Sequence, residues 1–222
     1  MLASNILFNK KITTINTSSY PITINDIKLK SEYFNLNSTD TSLDNYIQNI
    51  VIPNIIRNWE FETKYFILDQ RLVNYLNFID KYLYFYINGN DFLSLNALNV
   101  RQINSIKYYP CDWDNIAPKT TLDNNFYYFT PELLANPMKF KIKDDNSILR
   151  LYKIENNFEI DFNAGFLNNN FSTLNPEIKD CLAMQGATVI DRKQGFCSGA
   201  YDAIIADCYD KFGINKIGFE LV

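Results

Sequence analysis

Apolar residues recur at two different spacings along this chain, and the switch between them constrains the fold more than any single residue does. From Leu43 to Trp59 they fall at Leu43, Tyr46, Ile47, Ile50, Val51, Ile55, Ile56 and Trp59. That is the i, i+3, i+4, i+7 rhythm of one broad helical face. Near the other end Ile178, Cys181, Leu182, Val189 and Ile190 mark a second stripe, and Tyr201, Ile204, Ile205, Cys208 and Phe212 a third. From Phe61 to Phe162 the chain reads instead as short β-rich runs, punctuated by Pro110, Pro118, Pro131 and Pro137. The order helix-helix, many strands, helix-helix predicts an α+β fold: a helical bundle formed by N- and C-terminal helices, with an antiparallel β region inserted between them.

Local signals place the boundaries. Residues 1–21 are polar and read as an arm or an extended segment, 22–63 as a helical part, and 64–166 as the β-rich insertion. Residues 174–213 then complete the bundle, and 214–222 form a tail strand. Thr23 and Asp26 have the spacing of a helix cap, opening a short helix that runs to about Phe34. Pro53 removes a donor from the second helix and crowds the carbonyl of Asn49, which predicts a kink or break. Tyr82–Ile87, the turn Asn88-Gly89-Asn90-Asp91 and the run from Phe92 predict a hairpin. Further strands are expected at Val100–Tyr109, Phe126–Phe129, Lys139–Lys143, Leu149–Ile154 and Phe158–Phe162. The stretch Asp69–Asp80 fits helix and strand equally. Gly165 should turn the last strand out of the sheet. A slack Asn168–Thr173 follows, and Asn175-Pro176 starts a helix that stops near Gly195. Gly213 ends the last helix, after which Ile217, Phe219 and Leu221 alternate as in a strand.

Composition argues against catalysis. The 222-residue chain contains no histidine, so it lacks the usual general base near neutral pH and the commonest metal ligand. Cys111, Cys181, Cys197 and Cys208 include no C-x-x-C pair and read as free, mostly buried thiols. Asp112/Asp114, Asp144/Asp145 and Glu159/Asp161 are paired carboxylates. Glu159 and Asp161 lie two apart on one strand and point to the same face, which reads as a solvated face rather than two groups across a cleft. No Gly-rich phosphate loop, nucleophile elbow or EF-hand spacing appears. No catalytic residue, cofactor or metal is expected. A net charge of −4 with pI near 4.9 excludes a strongly basic nucleic-acid grip. The chain opens without a signal-peptide pattern and has no membrane-length apolar run, so a soluble, cytoplasmically made protein is expected. "YYPCDWDNIAP", Tyr108–Pro118, is an aromatic and acidic loop suited to a protein contact or to stacking on a sugar.

The order of these pieces resembles the head–tail connector (adaptor, or head-completion) proteins of tailed bacteriophages. "ITINDIKLKSEYF" (Ile22–Phe34) looks like their opening helix, and "SLDNYIQNIVIPNIIRNWEFET" (Ser42–Thr63) like their long apolar second helix. "LSLNALNVRQINSIKYYPCDWD" (Leu93–Asp114) is similar to their central segment, and "TLDNNFYYF" (Thr121–Phe129) to the strand after it. "FEIDFNAGF" (Phe158–Phe166) resembles their strand ending in Ala-Gly-aromatic. "LNPEIKDCLAMQGATVIDRKQG" (Leu174–Gly195) resembles the Pro-led closing helix, with Arg192 where these proteins often carry Arg. The resemblance spans roughly residues 22–195; Pro53, the long aromatic segment 64–92 and the extra 197–222 depart from it.

The resemblance implies a non-enzymatic virion protein that forms a homo-oligomeric ring of twelve copies. The ring would bind the portal protein and other neck or tail proteins, joining head to tail and extending the DNA channel. DNA would pass through without specific binding, and no membrane would be involved. The protein would sit in the virion neck, below the portal, after assembly in the host cytoplasm. Within that reading Ile217, Phe219, Leu221 and Val222 are candidates for strand addition to the portal or a neighbouring subunit. Tyr108, Tyr109 and Trp113 are a candidate interface loop. The high aromatic content and the Trp113 loop leave open a carbohydrate-binding or adhesin-like β module with helical flanks.

Overall fold

A computed structural model describes residues 8–76, 84–87, 92–94, 97–108, 120–123, 127–129, 139–142, 149–152, 158–196 and 199–213. The chain divides into two compact units, each built from two separate stretches. Residues 1–15 and 69–165 form a β unit; residues 16–68 and 166–222 form a helical unit. The architecture is α+β, with helices from both ends of the chain and an antiparallel sheet from the middle.

In the β unit, β1 (Phe8–Ile15), β2 (Gln70–Leu76), β10 (Phe158–Ala164), β5 (Val100–Tyr108) and β6 (Thr120–Thr121) form one sheet in that order. All its pairings are antiparallel. β10 lies at the centre, and its alternation explains why: Ile160, Phe162 and Ala164 are fully buried on one face, as period 2 requires. The stretch that fitted both helix and strand is β2, with Leu72, Val73 and Asn74 buried. The N-terminal stretch, expected as an arm or an extended segment, is extended over its described part. Its residues Phe8–Ile15 are an edge strand on β2, with a register shift between Ile12 and Thr14. This bulge suits an edge that must not recruit further strands.

The expected hairpin does not form. β3 (Tyr84–Ile87) pairs with β9 (Leu149–Tyr152), whereas β4 (Phe92–Ser94) pairs with β8 (Lys139–Ile142), which also takes β7 (Tyr127–Phe129). The turn signal is local, but each of these two strands finds its partner more than 40 residues along the chain. The other expected strands lie where expected to within one or two residues, β10 running on to Ala164, two past the expected Phe162.

The helical unit opens with α1 (Ile24–Lys28), held by a reciprocal capping box. The Thr23 hydroxyl accepts from the Asp26 amide at 3.2 Å, and the Asp26 carboxylate accepts from the Thr23 amide at 2.7 Å. The expected single helix to Phe34 is two. A second one, α2 (Glu32–Leu36), starts afresh at the Ser31 cap. After a short helical turn, α3 (Asp44–Tyr46), come a π-helical stretch Ile47–Val51 and α4 (Ile52–Thr63), with Pro53 in its first turn. The expected break at Pro53 is thus a π turn, which widens the helix ahead of the proline and relieves the carbonyl it would strike. The wider turn also rotates the apolar stripe. Ile47, Val51, Ile52, Ile55, Ile56 and Trp59 stay buried, while Ile50, expected on the same face, is 47% exposed.

α5 (Pro176–Lys193) is the central helix, touching α1, α2, α4 and α6 (Asp202–Phe212). Asn175 caps it, accepting from the Glu177 amide at 2.9 Å. Ile178, Cys181, Leu182 and Ile190 are buried as expected, whereas Val189 is 39% exposed. On α6 Cys208 is buried, but Ile204, expected on its inner face, is 51% exposed. α6 meets α4 through Trp59, whose ring lies 4.9 Å from that of Tyr209 and 6.3 Å from that of Phe212.

The hinge between strand and helix is not slack. Gly165 turns the chain with φ 83° and donates its amide to the Asn99 carbonyl at 2.9 Å. Asn168 and Asn169 both take left-handed backbone at φ 53°, a conformation asparagine tolerates. Asn169 is buried and donates to the Asn16 carbonyl at 3.0 Å.

α1 approaches α5 at Gly186. A Cβ there would stand 2.6 Å and 2.7 Å from Ile27 side-chain carbons, and Ile27 is fully enclosed. Gly186→Ala gains about 1 kcal/mol of helix propensity but overpacks the contact by about 1–3 kcal/mol. The expected outcome is a lower urea midpoint; an unchanged or higher midpoint would show that the two helices have room to part.

Candidate functional site

Among the described residues, several buried acids serve structure. Asp191, near the end of α5, is 1% exposed and accepts three hydrogen bonds. They come from the Ser31 hydroxyl at 2.5 Å and from the Glu32 and Tyr33 amides at 3.1 and 3.0 Å. It caps α2 from another helix, which explains an acid in a last turn where the helix dipole favours a base. Glu60, also buried, accepts from the Ile67 and Leu68 amides at 2.8 and 2.9 Å. The role of Asp191 carries no local sequence signal, because its partners stand 158–160 residues away, whereas those of Glu60 lie 7 and 8 residues on.

On the β unit the expected solvated pair corrects. Glu159 and Asp161 do share a face, but Asp161 is only 8% exposed. Arg71 grips its carboxylate with Nε at 2.9 Å and Nη2 at 2.7 Å, and Asn104 donates to it at 2.8 Å. Glu159 pairs with Lys107 at 3.6 Å. Lys107 stands directly opposite Glu159 and Arg71 diagonally across from Asp161, so the acids form cross-strand ion pairs. The Arg71 hydrogen bonds hold the Asp161 carboxyl below the usual carboxylate range. Nearby, Arg101 is paired with Asp69. In the helical unit the Tyr33 hydroxyl donates to Asp40, and the Ser42 amide donates to it at 2.7 Å. Those bonds bring Asp40 down to about 2 and raise the Tyr33 phenol.

Cys181 and Cys208 are free and buried, on facing helices. Burial and the neighbouring thiol push Cys181 up, so it is no nucleophile at neutral pH. Two shallow hollows flank the exposed Leu29, one of about 400 Å³ beside Lys28 and Phe34, the other of about 280 Å³ beside Lys179 and Ala183. Lys28 is already engaged by the Asp40 carbonyl and Asp44. Among the described residues no group of three or more His, Cys, Asp or Glu is placed to hold a metal. No described helix is long and apolar enough to cross a membrane.

Of the candidate contact residues, Tyr108 is described: it lies half-buried on β5 opposite Phe158 and Thr120. Tyr109, Trp113, Ile217, Phe219, Leu221 and Val222 lie outside the described residues, as do Asp112/Asp114, Asp144/Asp145, Cys111 and Cys197.

No protein-family model matches the sequence, and no curated protein matches it. Solved structures do match. A chain of the neck of an empty gene transfer agent particle, computed with C6 symmetry, aligns at TM-score 0.57 with 13% identity, over 93% of this chain and 95% of that one. A chain of the native gene transfer agent virion aligns at TM-score 0.54 with 11% identity over the same shares. A third, from the native neck computed with C12 symmetry, gives 0.50 and 14% over 90% and 95%. This chain shares its fold with chains of the gene transfer agent neck. The match takes in both units, because neither alone could supply nine-tenths of the length. At such identity only the backbone arrangement carries over, and side-chain roles rest on the contacts above.

Two outcomes follow for the polar network. Asp191→Ala strands two amides and a hydroxyl in the interior, and a loss of about 3 kcal/mol is expected in denaturant unfolding, whereas Asp191→Asn, which keeps one acceptor, should lose less. Asp161 and Asp40 have depressed folded pKa values, so their stabilisation is present above ~4, where an unfolded Asp titrates. It fades as pH falls through the folded values, about 2 for Asp40. Unfolding midpoints should therefore decline across that window, and Asp161→Asn should flatten the decline; an unchanged slope would remove Asp161 from the account.

Proposed function

We propose that this chain is a structural protein of the neck of a tailed-phage-like virion. It assembles as a homo-oligomeric ring of twelve copies that seats on the portal, joins head to tail and extends the DNA channel. The observation that carries this reading is the near full-length fold likeness to chains of a particle neck and virion. The spent polar groups agree with it: the buried acids close caps, loops and strand pairs, which is what a scaffold needs and a catalyst does not. Mild acidity agrees too, since a wall that neutralised phosphates would bind the DNA it has to pass.

In this reading the tail residues Ile217, Phe219, Leu221 and Val222 add a strand to the portal or to a neighbouring subunit, and the loop with Tyr108, Tyr109 and Trp113 contacts a neck or tail partner. Its place is the virion neck, reached from the host cytoplasm during assembly. The carbohydrate-binding alternative rests on the Trp113 loop, and no described contact favours it. Negative-stain imaging of the purified protein, alone and with portal, tests the proposal. Twelvefold rings that stack on portal are the expected result; a lasting monomer indifferent to portal would overturn it.

A further inference from the structure

Two outward helix faces of the helical unit differ in a complementary way. The buried side of α4 carries Ile52, Ile55, Ile56, Trp59 and Thr63. Opposite runs a line of Ile50, Asn54, Arg57 and Phe61, all exposed, with Phe61 69% exposed. Spacing of three or four residues puts them on one stripe. Phe61 is held ready: the Lys64 ammonium lies 4.3 Å from its ring centroid and donates to its own carbonyl. The stripe is thus an aromatic knob between two cations, with no acid on it.

The outer face of α6 is the reverse. Its inner side holds Cys208 with Ile205 and Phe212, and its outer side presents Ala203, Ala206, Asp207 and Asp210. Ala203 and Ala206 keep it low beside the exposed Ile204, and Asp207 gives it negative charge. Arg57 and Asp207 form no salt bridge or hydrogen bond among the described residues, and both are exposed. A surface with a Phe and an Arg is the composition of an interface anchor, and Phe61, fixed by Lys64, loses little further freedom on docking.

We infer that the Phe61–Arg57 face of α4 docks on the Ala203–Asp210 face of α6 in a second copy of this chain, with Arg57 pairing to Asp207 across the contact. The occupant is a second copy because the two surfaces carry opposite charge and neither complements itself. Two unlike patches on one subunit make a head-to-tail contact, which repeats and closes into a ring if the rotation permits. The inference rests on the ring proposed above and names the surfaces that would build it. Like charges set opposite each other in an interface are costly, and relieving them restores pairing.

Sedimentation velocity across a concentration series tests this on the full-length chain with three variants, Arg57→Glu, Asp207→Arg and the double exchange. All three changes are on the surface, so circular dichroism and melting should match the wild type. Each single variant should weaken assembly by about tenfold or more, and the double exchange should recover most of the loss. Phe61→Ala should weaken assembly without being rescued by the exchange. A wild type that forms rings while both single variants assemble equally well overturns these surfaces and leaves the ring standing. A double exchange no better than the singles overturns the Arg57–Asp207 pairing. A wild type that stays monomeric at every concentration, with and without portal, overturns both the surfaces and the ring.

Discussion

A single buried carboxylate joins the two stretches of chain that make the helical unit. Asp191 reaches from the end of α5 to the start of α2 and takes up three donors that would otherwise be orphaned in the interior. An unpaired buried amide costs as much as a lost hydrogen bond, so α2 can begin at Ser31 only if α5 is already beside it. α1 obeys the same condition through packing, because Ile27 needs the missing side chain of Gly186. The bundle is therefore non-local: its N-terminal helices are short, and α5, from the far end of the chain, completes them.

The β unit rests on a similar closure. β10 enters the middle of the sheet between β2 and β5, and it brings with it the acids that the flanking strands neutralise. Arg71 and Asn104 come from different neighbours and meet on Asp161. With their oxygens taken up in this way, these acids tie neighbouring strands together.

Much of this was legible beforehand. The capping box at Thr23, the Pro-led start of α5, the helical stop after Phe212 and the alternation of β10 are local rules written in adjacent residues, and the structure follows each of them. Fold class followed from the same patterns. The errors share a cause. The turn at Asn88–Asp91 invited a hairpin, but β3 and β4 were claimed by β9 and β8. The polar N-terminus gave no hint that β2 would recruit Phe8–Ile15. Ile50 and Ile204 matched a helical repeat yet face outward, the first because a π turn changes the residues per turn ahead of Pro53. At the polar nodes Asp191 left no spacing to read, since its cap is supplied to another helix, and Glu60 serves amides of the stretch after α4, a pairing that no capping rule marks.

By itself, then, the sequence determined the kind of structure each segment adopts and the absence of histidine chemistry, because propensity, capping and periodicity act within a few residues. Only the tertiary structure decided which strands pair, where β1 goes, which apolar residues remain outside and what the buried acids serve. Those outcomes depend on burial and on partners that the fold brings together, 160 residues apart for Asp191 and Ser31, and a free carboxylate differs from a spent one only in what the fold places beside it.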